Sequence, residues 1–211
     1  MTSASASVSD ELFDMLRRLD QLLAQALQAT HDSGSTNGDL FRGLHIGPDD
    51  VARWIAREPG VPLFLQGVGS RGDAREHLMK DSSRFVWLAE SFGLSQFDLS
   101  ILAIALAPHV DLRYESLYSY LQDDVTRRQA SVDLALNLLC SSPREKLSCH
   151  ERLGPESPLI RHGILHLVPP ADRPNAPLLL HSLQVDLQIV DVVLGLGGLI
   201  LLARGKRGQH S

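Results

Sequence analysis

The chain has 211 residues, 44% of them hydrophobic and only 5% aromatic, with a net charge of −5 and a pI near 6.0. That apolar content excludes wholesale disorder, and a core built from Leu, Val, Ile and Ala favours helix-on-helix packing over a β-sandwich. The acidic balance argues against a nucleic-acid binder, which needs a basic face to neutralise phosphates.

The N-terminus, Ser/Ala-rich and then acidic at Asp10, Glu11 and Asp14, has neither the positive n-region nor the apolar h-region of a secretory leader. Residues 10–30 read as an amphipathic helix, with Leu12, Leu16, Leu19, Leu23 and Ala26 at alternating steps of four and three. Such a stripe suits either packing on its own domain or self-association of an arm. Residues 31–40 are linker by composition, so 1–40 is expected to be a helical arm and linker.

Residues 41–82 are expected to hold a short helix after Pro48, with Val51, Trp54 and Ile55 on one face, and then a connecting loop with Gly67, Gly69 and Gly72. The loop is no phosphate cradle. No Gly-x-x-x-x-Gly-Lys-Ser/Thr occurs, and the only Gly-Lys pair is Gly205-Lys206.

Residues 83–195 are denser in apolar pattern. Phe85, Val86, Leu88 and Ala89 predict a helix stopping at Gly93. Ser95 caps the next, with Asp98 completing a capping-box pattern, and Pro108 is expected to end it. This second helix is apolar nearly all round, the mark of a central element. Asp111 fits as the N-cap of a third, carrying Leu112, Tyr114, Leu117, Tyr118 and Leu121, with Arg113 placed to pair with an acid nearby. Ser131 caps a fourth through Leu139. Leu159 to Val168 and Leu178 to Val185, separated by Pro169, Pro170, Pro174 and Pro177, predict a β-hairpin with a long wing loop. A last helix is expected near Leu187 to Leu194. The fold class is therefore mainly α with a small β-hairpin: a winged-helix-like domain preceded by an amphipathic N-terminal helix. Residues 196–211 form an apolar, then basic tail (Arg204, Lys206, Arg207). The most apolar window, Ile189 to Ala203, spans fifteen residues and contains Asp191, short of the ~20 a bilayer span needs.

No catalytic constellation stands out, with neither Gly-x-Ser-x-Gly nor His-Glu-x-x-His. Cys140, Cys149, His150, His162 and His166 lack the close Cys-x-x-Cys pair of a structural zinc site, and no metal or cofactor is expected. The two cysteines point to a reducing cytoplasm. Asp123 to Arg127 and Asp124 to Arg128 are expected i,i+4 ion pairs on a helix. With Tyr114, Tyr118 and Tyr120 they make the candidate partner surface. The helix from Ser131 to Cys140, read as the one before the hairpin, has no Arg or Lys, and only Asn137 suits a base edge, so DNA reading is disfavoured.

The segments Phe92-Gly93-Leu94-Ser95, Asp111-Leu112-Arg113-Tyr114, Leu117 to Arg128 and Ser131 to Leu139, with Pro158 to Gly163 and Leu187 to Val190, resemble the winged-helix domain at the N-terminus of a bacterial group of AAA-type ATPases. Some of these are associated with contractile injection systems. The resemblance covers roughly residues 83 to 194 and implies a non-catalytic module that recruits a substrate or partner, or orders a hexamer. The partner would be a protein, an ATPase among the candidates, or a second copy through residues 10–30. No Walker motif is present, so ATP binding and hydrolysis transfer to no residue. The chain reads as a stand-alone relative, a truncated one, or one whose ATPase is a separate chain.

Overall fold

The computed structural model describes residues 3–32, 59–64 and 83–195, together with Ala52, Ile55 and Ala56. The expected linker, the glycine loop and the tail lie outside the described residues, as does most of the helix expected after Pro48.

Helix α1 spans Ser3–Asp32. Its stripe of Leu12, Met15, Leu16, Leu19, Leu22, Leu23, Ala26 and Ala29 is buried. Helices α2 (Ser83–Phe92), α3 (Gln96–Val110) and α4 (Arg113–Leu121) follow, then α5 (Val132–Leu139) and α6 (Pro143–Cys149). A 3-10 turn, His150–Leu153, and one helical turn, α7 (Pro158–Arg161), lead into β1 (Leu165–Val168). The chain returns through a 3-10 turn at Leu178–Leu180 to β2 (Ser182–Val185) and closes with α8 (Leu187–Leu194). Helix α1 packs on α3, α4, α5 and α8. The stripe that a partner helix would need is thus covered by the chain's own domain.

Helix α3 is the centre, with every residue from Asp98 to Ala107 buried. Its capping box forms as the pattern predicts: Ser95 Oγ accepts from the Asp98 N–H, and Asp98 accepts from the Ser95 N–H at 2.8 Å. Pro108, however, does not end the helix, which runs on to Val110. Proline has no N–H to offer the carbonyl four residues back, so Ile104 loses its intrahelical donor. The Tyr118 hydroxyl takes that place, donating to the Ile104 carbonyl at 2.8 Å.

The hairpin is shorter than expected. Leu159 to Arg161 forms the helical turn α7 instead of strand, because Pro158 sits well at a first helical position. β1 and β2 pair antiparallel, Leu165 opposite Val185 and Val168 opposite Ser182. Ser131 adds an isolated bridge to Ser182 on the other edge of β2, with the Leu183 N–H donating to the Ala130 carbonyl at 2.9 Å. Helix α8 ends at Gly195, which has φ +79. A Cβ there would lie 2.7 Å from the Arg84 guanidinium, which donates to the Val192 carbonyl at 2.7 Å and ties α2 to the end of α8.

Candidate functional site

The run expected to form the partner surface splits into two parts. Tyr114 and Tyr118 are fully buried, which corrects their assignment to a surface. Both lie on the α4 face turned to α1 and α3, because the same helical spacing that aligns them with Leu121 aligns them with the core. The Tyr114 hydroxyl donates to Asp20 on α1 at 2.8 Å, and Arg113 reaches the other Asp20 oxygen at 2.6 Å. Burial pushes the Tyr114 hydroxyl up to about 12 and the Tyr118 hydroxyl well above its ordinary value. Asp111 sits just ahead of the cap position, which is Leu112, but its carboxylate still accepts from the Arg113 N–H at 2.9 Å.

The second part is a loop, and its charges do not pair as a helix would pair them. Helix α4 stops at Leu121. The Asp123 N–H donates to the Tyr120 carbonyl and the Asp124 N–H to the Ser119 carbonyl, both at 3.1 Å. This is the Schellman ending, and its left-handed position holds Asp123 at φ +51 where glycine is usual. Past that reversal, Asp124 pairs with Arg127 at 3.1 Å, and Arg128 faces Glu115 at 3.9 Å. The expected Asp123–Arg127 and Asp124–Arg128 pairs do not form. Hydrogen bonds from Thr126 and the neighbouring Arg127 hold the Asp124 carboxyl below its usual range. Tyr120 and Val125 are exposed.

Gln122 holds the loop from within. Its amide nitrogen shares two hydrogens among the carbonyls of Tyr118, Arg127 and Gln129 at 3.0–3.1 Å, and its oxygen accepts from the Ser131 N–H at 3.0 Å. Sequence reading passed over this residue because a glutamine in a charged run looks solvated. The signal lay in its position, just after a helix whose last carbonyls need donors.

Loop and wing face one another across a groove of about 660 Å³. Glu115, Asp124, Arg127 and Arg128 line one side; Pro170, Asp172 and Arg173 from the wing line the other. Acids and arginines balance, so the groove has no surplus positive charge.

A family model described as winged helix domain, variant, matches residues 4–200. The chain belongs to that family. No curated protein and no solved structure matched it. In this winged helix domain the segment ahead of the hairpin is α6 with the two short turns after it, not Ser131 to Cys140. Helix α5 is a core element instead. Its Asn137, the one residue suited to a base edge, is 1% exposed and engaged inside. It accepts from the Leu63 N–H at 3.0 Å and Lys146 Nζ at 2.9 Å, and donates to Asp133 at 2.9 Å. On α6, Lys146 is held by Asp133 at 2.7 Å, and beyond it Arg152 reaches the buried Asp98 at 3.5 Å. His162 caps α7 and His166 lies in β1. Among the described residues no three or more His, Cys, Asp or Glu side chains gather as a metal site would require, and no helix is long and apolar enough to cross a membrane.

Proposed function

We propose that this winged helix domain is a non-catalytic protein-interaction and assembly module, acting in the cytoplasm, of the kind that precedes AAA-type ATPase domains. Its partner, an ATPase foremost, docks across the groove between the Gln122–Ser131 loop and the wing. The observation that carries the reading is that the loop is fixed internally by Gln122 while Tyr120, Val125 and Arg128 remain outside. A prepaid loop conformation lowers the ordering cost of association. The strained backbone at Asp123 fits the same reading, since such positions gather at binding sites. DNA recognition is supported less well: Asn137 is occupied, and Lys146 and Arg152 are tied to carboxylates.

The test compares the tagged chain with an Arg127→Glu/Arg128→Glu variant of equal stability in lysate of the source cells. A AAA-type ATPase retained by the first and lost by the second is expected, with no ATP turnover by the purified chain alone. Turnover by a clean preparation, or salt-dependent duplex binding at micromolar protein in an anisotropy titration, overturns the proposal.

A further inference from the structure

Residues 59–64 form an irregular segment, neither helix nor strand, that touches α6 at its first residue and α5 at Asn137. At Gly60, with φ +80, an added Cβ would stand 3.4 Å from that of Pro143, so the turn runs directly against α6. Pro62 and Phe64 are buried, and Leu63 between them is exposed. The Leu63 N–H donates to Asn137 Oδ1 at 3.0 Å. Two apolar anchors flank one outward residue, and the backbone between them is held by a hydrogen bond. A docked peptide is gripped in the same way.

The receiving side is built without the segment. Asn137 is buried, its nitrogen donates to Asp133 at 2.9 Å, and its oxygen also accepts from Lys146 Nζ at 2.9 Å. Lys146 closes the ring on Asp133 at 2.7 Å. If Leu63 leaves, Asn137 Oδ1 keeps Lys146 as its donor and the Leu63 amide passes to water. The ring therefore loses no last partner, and the cost of release is the apolar burial of Pro62 and Phe64. An incoming pair of the same kind restores that burial.

We infer that this face of α5 and α6 is a peptide-binding site occupied in cis by residues 59–64, and that its trans ligand is a Pro-x-aromatic segment of a partner protein. The ligand chemistry is read from the cis occupant, Pro62-Leu63-Phe64. Proline fixes its own φ and offers no N–H, which leaves the next residue's donor for Asn137. The site is separate from the groove by the wing and stands whether or not that groove docks a partner. A tethered segment competes at an effective concentration on the order of millimolar. The wild type therefore binds a trans peptide weakly, and a change that frees the cis segment raises the affinity.

A labelled synthetic copy of residues 59–64 is titrated into the full chain and followed by fluorescence anisotropy. Phe64→Ala strips the cis segment of its larger anchor and is expected to bind the peptide at least about tenfold more tightly than the wild type. A peptide N-methylated at the position of Leu63 cannot donate to Asn137 and should bind that variant about tenfold more weakly. Equal affinity of the two chains, no binding by either, or no preference between the two peptides overturns the site and leaves 59–64 as plain core. Should Phe64→Ala fail to fold, Leu63→Pro takes its place with the same expectation, since it removes the cis N–H and keeps Phe64. Amide exchange on the wild type gives an independent reading. The Leu63 N–H should exchange through local opening, at least about tenfold faster than the amides at the centre of α3. Exchange at the same slow rate would mean that the segment leaves only on global unfolding, and the site would be lost as a proposal.

Discussion

Tyr114–Leu121 and Gln122–Arg128 adjoin in sequence and both carry tyrosine or paired charge, yet they have opposite fates. The first is helix: Tyr114 and Tyr118 go inward, and each of these hydroxyls answers a specific need, Asp20 on α1 or the carbonyl that Pro108 leaves free, while Tyr120 stays outside. The second turns through a left-handed residue and points its charges outward. Aromatic hydroxyls and charged pairs look alike as polar surface in a string of letters. What separates them is whether the interior holds an acceptor for which no backbone donor exists. A buried polar group is kept where leaving its partner unmet would cost more than desolvating the group.

If the first region is structural, the sharpest way to break the comparison is through α1. Leu19 is fully buried in the packed stripe, so Leu19→Ala should lower unfolding stability by about 2–5 kcal/mol in urea denaturation. A loss below half a kcal/mol would mean α1 is a detachable arm. Tyr118→Phe comes next. It leaves the Ile104 carbonyl without a donor and should cost about 1–3 kcal/mol. The cost should shrink in a Pro108→Ala background, where residue 108 regains its N–H; equal costs in both backgrounds would refute the Pro108 explanation. Alkaline titration probes the same pair. A tyrosine whose folded value is raised holds its proton where the unfolded chain has lost it. Stability is therefore intact below about pH 10 and falls as pH rises toward about 12, the Tyr114 value. Tyr114→Phe should flatten that fall, followed by chemical denaturation at stepped pH.

The order of elements was readable because helix and hairpin signals are local. The Ser95 capping box, the Ser131 cap and the run Leu187–Leu194 depend on residues a few positions apart, and each forms where the pattern places it. Pattern and structure part where a distant residue changes the local outcome, or where one adjacent residue turns the backbone. Pro108 looked like a stop because its missing bond was visible, while the Tyr118 donor lay ten residues on. Asn137 looked available to a ligand because Leu63, 74 positions earlier, gives no sign in sequence of docking there. The surface charges were recognised, but their pairing was not, since one left-handed residue, Asp123, turns the chain out of helical register. Leu159 reads as strand by its apolarity, although Pro158 ahead of it favours a helical start.

The second region responds more weakly. Asp123→Gly removes a Cβ from the left-handed position and should stabilise the chain by about 0.5–1 kcal/mol, seen as a raised denaturation midpoint. No gain would mean that the Asp123 side chain offsets its own backbone strain. If the strain serves docking, the more stable variant should bind the partner no better.

Arg128 gives the smallest expected effect on the fold and so the cleanest separation of the two regions. Its guanidinium lies 3.9 Å from Glu115 and is 72% exposed, which is too far for a hydrogen bond and open to screening by salt. Arg128→Ala should therefore leave the unfolding free energy within about 0.5 kcal/mol of the parent, at low and high salt alike. The same substitution should weaken capture of the proposed partner, because a guanidinium with unspent donors at a groove rim is where a carboxylate or carbonyl from another chain gains most. A loss of stability above about 1 kcal/mol would place Arg128 with the buried tyrosines as part of the scaffold. Stability and capture both unchanged would leave Arg128 with no part in either region, and the docking surface would have to be drawn without it.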